Sequence, residues 1–154
     1  MLKVGAAAPD FQADDQHGRR RTLDELLGRG RLALYFYPRD FTPGCTTEAC
    51  SFRDHAESLA ARGMNVVGVS TDGVESHARF AEHHGLNFPL LADLDRSIAR
   101  AFGALQPLVG VAKRATFVID RDRTILGVFH HEILVGKHLR RLEALMAQLP
   151  PSPT

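Results

Sequence analysis

The sequence is short of several things at once. It has two cysteines among 154 residues, a formal net charge of +1, and no strongly apolar run longer than the one at 32–37. So small a net charge gives no long-range attraction to nucleic acid or to an anionic membrane. The run at 32–37 falls far short of the roughly 20 apolar residues that cross a bilayer. Residues 1–8 hold one lysine and lack the apolar stretch of a secretory signal. These absences point to a cytoplasmic protein, and in that compartment two cysteines serve redox chemistry or metal binding rather than stapling the fold. The one basic cluster, Arg19-Arg20-Arg21, has no aromatic or further basic neighbours and reads as a solvated turn.

What is present is ordinary for a globular chain, with 44% hydrophobic and 24% charged residues. No repeat, low-complexity block or internal linker interrupts it, so residues 1–149 read as one domain. The tail 150–154, with three prolines in five residues, is expected to be disordered.

Local signals give an order of elements. An early hairpin turns at Gln16-His17-Gly18, and Thr22-Leu23-Asp24-Glu25 reads as a capping box opening a short helix. The continuous run 32–37 fits a central strand covered on both faces, and Pro38 ends it. A loop through Gly44 leads into a helix to about Arg62, closed by Gly63. Cys45, Ala49, Phe52, Ala56 and Leu59 share its apolar face at three- and four-residue spacing. A second buried strand is expected at 65–71, a helix at 76–84, a short strand at 88–91 and a helix at 95–102. A hairpin of 115–119 and 124–130 and a last helix at 136–148 complete the pattern. The segment 105–111 carries no secondary-structure signal and is expected at a pocket rim. The order predicts an α/β fold, a central mixed sheet flanked by helices on both faces.

In such sheets reactive groups gather at the carboxyl ends of strands. Cys45 falls there, in the first turn of the helix after a central strand. A thiol so placed sees unpaired backbone N–H groups and the positive end of the helix dipole, both of which favour thiolate. Thr42, three residues earlier, offers a hydroxyl to the sulfur or to an approaching oxygen. A plainer reading stands beside this one: Thr42 as a helix cap and Cys45 as a small core residue.

The stretch Pro38-Arg39-Asp40-Phe41-Thr42-Pro43-Gly44-Cys45 resembles the active-site signature of the peroxiredoxins. Its continuation Thr46-Thr47-Glu48-Ala49-Cys50 is similar to the bacterioferritin-comigratory-protein (peroxiredoxin Q) group. The opening Gly5-Ala6-Ala7-Ala8-Pro9-Asp10-Phe11 and the strand Ala115-Thr116-Phe117-Val118-Ile119-Asp120 extend the likeness over nearly the whole chain. The resemblance implies a thioredoxin-like fold and a thiol peroxidase with Cys45 as the peroxidatic cysteine and Cys50 as the resolving one. It implies that Arg114 favours the thiolate and donates to peroxide oxygens, that Glu48 orients Arg114, and that Pro38 shields the pocket. It further implies thioredoxin as reductant, no cofactor, and a monomer or weak homodimer. Phe41 occupies a variable signature position, where it either biases the pocket toward apolar hydroperoxides or anchors the loop.

A Cys45–Cys50 disulfide carries a geometric condition. Five residues along a helix separate Cα atoms by roughly 8–9 Å and turn the side chains about 140° apart, whereas a disulfide needs Cα atoms within about 4.4–6.8 Å. The turns over 44–53 must therefore unwind first. Two alternatives compete with this function. One is a thioredoxin-fold copper chaperone using the cysteines with His83-His84 or His130-His131, disfavoured by the cysteine spacing. The other is a one-cysteine peroxidase that uses an external thiol. A thioredoxin-type oxidoreductase would need Cys-x-x-Cys, which is absent.

Overall fold

The computed structural model describes residues 1–130 and 136–149, the backbone alone at 136–138. The tail 150–154 and His131 lie outside the described residues. A small antiparallel hairpin, β1 (Gln12–Asp14) and β2 (Arg20–Thr22), precedes the main sheet. Short helix α1 (Leu23–Leu27) follows, capped as its sequence indicates: the Thr22 hydroxyl accepts from the Glu25 amide. The basic triplet divides: Arg19 is exposed in the turn, and strand alternation along β2 sends Arg20 outward and Arg21 inward. Arg21 is buried, bonding Glu25 through Nε and Nη2 and Asp15 through Nη1. Only two of its three arginines are therefore solvated.

The main sheet takes strands β3 (Arg31–Phe36), β4 (Met64–Ser70), β5 (Leu90–Ala92), β6 (Ala115–Ile119) and β7 (Ile125–Phe129) in the order β5-β4-β3-β6-β7. β3 runs parallel to β4 and antiparallel to β6, so the sheet is mixed as expected. The helices are α2 (Pro43–Ala61), α3 (Val74–His84), α4 (Ser97–Phe102) and α5 (Gly136–Gln148). Every residue of β3 is buried, the apolar run from Leu32 onward as expected and Arg31 in an ion pair with Asp120. Leu32, Leu34 and Phe36 face α1 and α4, while Ala33 and Tyr35 face α2, α3 and α5. The period of two along this strand thus feeds two separate cores.

Boundaries move where particular groups dictate. β5 begins at Leu90, two residues later than expected, because the Gln16 side chain binds Phe88 O and Leu90 N. α4 begins at Ser97, since the Asp95 carboxylate takes the Ser97 amide and that of Asp93 takes the amides of Ile98 and Ala99. α3 starts at Val74, two residues early, and closes on Gly85 in the left-handed conformation. The segment 105–111 folds back on itself through a Leu105–Ala112 bridge, leaving Leu108 and Val109 exposed just ahead of Arg114.

Candidate active site

The site sits where β3 hands over to α2. Tyr37 still bonds Val69 O, continuing the ladder beside β4. Pro38 cannot donate to a ladder, and the chain turns through 38–42 into α2, with Pro43 at its first position. The helix thus starts two residues before the expected Cys45 and leaves Cys45 in its first turn. Apolar spacing brings Cys45, Ala49, Phe52 and Leu59 onto the sheet-facing side. Cys45 is 1% exposed, whereas Cys50 on the flank is partly exposed. Both are free thiols on one continuous helix.

Arg114 arrives from the residue before β6, which pairs with β3 through Phe36 and Ala115. Its Nη2 donates to Cys45 Sγ at 3.3 Å and its Nη1 to Glu48 Oε1 at 2.9 Å. One guanidinium therefore bridges the sulfur and the carboxylate one turn further along α2. Glu48 is 2% exposed, so it is no ordinary solvated first-turn glutamate. Burial raises its carboxyl from 4.5 to about 7, against which the charge and hydrogen bond of Arg114 pull only part of the way. Burial also opposes the charge on Arg114, but Glu48 and the Cys45 sulfur outweigh it and hold the guanidinium above its ordinary value. Their mutual attraction favours the charged form of both, but at the carboxylate burial outweighs it. The guanidinium stays charged throughout.

Thr42 does not cap α2 with its side chain. Its hydroxyl donates to Arg39 O at 3.1 Å, while its carbonyl accepts from the Thr46 amide. With the proton so used, the oxygen keeps its lone pairs for an incoming O–H. Pro38 is half-buried. Phe41, at φ +65°, is half exposed, and its ring packs edge-on to Phe80 at 5.1 Å and beside His83 and His84. The ring is an anchor on one side and an open apolar surface on the other.

A buried network that sequence spacing did not reveal holds this loop. The Asp40 carboxylate accepts from Tyr37 OH at 2.6 Å, from Ser76 Oγ at 2.8 Å, and meets His77 Nδ1 at 2.8 Å. Its amide donates to Asp72 Oδ2, which also accepts from Ser70 Oγ. Asp40 and His77 lie 37 residues apart, and only the packing of α3 beside the loop makes them neighbours. Asp40, Asp72 and His77 are also close enough to surround a cation, but their facing atoms already bond the protein. The cysteines join no such group among the described residues.

The AhpC/TSA family profile matches residues 4–128. Peroxiredoxin Bcp of Escherichia coli is 39% identical over 148 residues, covering 88% of this chain and 94% of its own. The crystal structure of peroxidoxin BcpB from Mycobacterium tuberculosis superposes with a TM-score of 0.93 at 40% identity, over 97% of this chain and 99% of that one. The bacterioferritin comigratory protein of Xanthomonas campestris, described for its alkyl peroxide reduction activity, superposes with a TM-score of 0.84 at 30% identity, covering 96% and 98%.

Proposed function

The chain belongs to the AhpC/TSA family, on its Bcp and peroxiredoxin Q side, with the thioredoxin-type fold and thiol-dependent peroxidase activity of a peroxiredoxin, and we propose that its peroxidatic sulfur is that of Cys45. The observation that carries this assignment is the Arg114 guanidinium, donating to Cys45 Sγ and Glu48 from one side chain at the start of α2.

The Cys45 thiolate attacks the nearer peroxide oxygen. A sulfur lone pair forms the S–O bond as the O–O bond breaks, and the departing oxygen leaves as water or alcohol after taking a proton. Thr42 Oγ1 accepts from the peroxide O–H, and Arg114 donates where negative charge moves from sulfur to oxygen. Glu48 keeps the guanidinium aimed. Cys45 is left as a sulfenic acid, which condenses with the Cys50 thiol to a disulfide, releasing water. An external dithiol of the thioredoxin kind then reduces that disulfide by exchange, in a cytoplasmic setting. The exposed side of Phe41 favours organic hydroperoxides with an apolar body, in keeping with the activity for which the Xanthomonas relative is described.

A direct test is stopped-flow mixing of reduced protein with hydrogen peroxide and cumene hydroperoxide, followed by mass spectrometry of the oxidised thiols. Wild type is expected to consume one equivalent of either peroxide and yield a Cys45–Cys50 link within one chain. Cys45→Ser should retain less than about 1% of this activity, because a hydroxyl is too weak an acid to supply the nucleophile. A Cys45→Ser protein that still turns over would remove the assignment. A one-cysteine reaction with external thiol would show instead as undiminished steady turnover in Cys50→Ser.

A further inference from the structure

The loop over 38–42 holds a bulky residue in a costly backbone state. Phe41 lies at φ +65°, a region disfavoured for an aromatic side chain and kept only where the surroundings over-determine it. The residue before it, Asp40, is the one most firmly held. Its side chain is 1% exposed and takes three donors: Tyr37 at the end of β3, and Ser76 and His77 on α3. The other ring nitrogen of His77, Nε2, faces Leu91 O of β5 at 3.0 Å. The ring is thus held from both sides, by Asp40 in the loop and by the backbone of β5. The Asp40 amide adds a bond to Asp72, after β4. Strands β3, β4 and β5 and helix α3 thus converge on a single loop residue, two positions before Thr42 and five before Cys45.

We propose that the buried Asp40–His77 pair is a lock on the peroxide-binding loop: His77 is a positioning residue that holds Thr42 and the start of α2 in the attacking arrangement and supplies the fixed post from which the first turns of α2 unwind. This rests on the peroxidase reading above. While the lock holds, the loop ahead of Pro43 cannot follow the unwinding helix, so opening is confined to residues after it. When the lock is lost, Phe41 relaxes out of the left-handed region, the loop disperses, and the turn that carries Cys45 loses its anchor. Attack on peroxide, which needs the loop ordered, must then slow. Condensation of Cys45 with Cys50, which needs the helix open, must quicken. A single lesion moves the two steps in opposite directions.

The experiment measures both rates in one stopped-flow series on the full chain with hydrogen peroxide, and the sulfinic fraction after excess peroxide by mass spectrometry. His77→Phe keeps an aromatic shape without donors; His77→Asn retains an amide able to reach Asp40. For His77→Phe we expect peroxide attack about ten- to a hundredfold slower, the factor carried by a hydrogen bond to a charged group, with faster disulfide formation and less sulfinic acid. His77→Asn should recover part of the attack rate. Ser76→Ala, which removes one donor from Asp40 at the edge of the network, should shift both rates the same ways by less, and it answers the question if His77→Phe does not fold. Both rates falling together, or neither changing, in folded variants would overturn the lock while leaving the peroxidase reading intact. Absence of peroxide attack in wild type would instead overturn the peroxidase reading itself.

Discussion

Glu48 makes the opening of α2 depend on pH, and the size of the effect follows from its burial. Its carboxyl is raised from 4.5 to about 7 in the closed helix, with burial the first cause and Arg114 opposing it. In an unwound turn the group returns to water and to its ordinary value. The closed helix therefore binds the proton more tightly than the open one. Closure is fully supported below about pH 4.5, and that support is lost as pH rises through about 7. At 1.36 kcal/mol per pH unit the whole difference is about 3 kcal/mol. The open-to-closed ratio should rise about tenfold between pH 6 and 8, with most of the remaining change below pH 6. The assay is amide exchange over residues 44–53, read by mass spectrometry and divided by the intrinsic exchange rate at each pH. A Cys45→Ser background removes the titration of the thiol. Glu48→Gln keeps the shape and an acceptor for Arg114 but cannot titrate, so its protection should be flat across the range. An equal pH slope with and without the carboxyl would refute the reasoning, as would level protection in the parent.

Other perturbations separate the parts of the site. Arg114→Ala removes the donor 3.3 Å from Cys45 Sγ and should slow peroxide attack by about a hundredfold or more, on the scale of losing one transition-state donor; single-turnover kinetics decide it. Thr42→Val, which removes an oxygen at nearly constant shape, should slow the same step by about tenfold or more without altering far-UV circular dichroism. Cys50→Ser should keep the first attack, lose turnover driven by a dithiol, and accumulate Cys45 sulfinic acid visible as added oxygen mass. In wild type, oxidation should weaken helical circular dichroism, because the disulfide cannot close on an intact α2. Phe52, 1% exposed and stacked on Tyr35 at 4.8 Å, is purely a matter of packing: Phe52→Ala should cost about 3–5 kcal/mol in urea unfolding.

Much of this protein could be read along the chain because the signals are local. The apolar run at 32–37 indicates a strand buried on both faces, and spacing alone aligns Cys45, Ala49, Phe52 and Leu59 on one side of α2. Thr22 and Gly85 mark helix ends through chemistry confined to one turn. The resemblance at 38–50 brought forward Arg114 and Glu48, which spacing could not have joined to Cys45. Tertiary structure decided what depends on distant partners. Arg21 turned inward because Asp15 and Glu25 wait there, and β5 shifted because Gln16, more than 70 residues earlier, occupies its first backbone groups. Glu48 became a buried acid with a carboxyl near neutrality only once α2 closed over the sheet. Asp40 and His77, unremarkable in the sequence, met across 37 residues because α3 packs beside the loop. Local periodicity records which face of an element is apolar; which polar groups are trapped together between those faces is set by the packing of elements far apart in the chain, and with it the charge state and rigidity of the site.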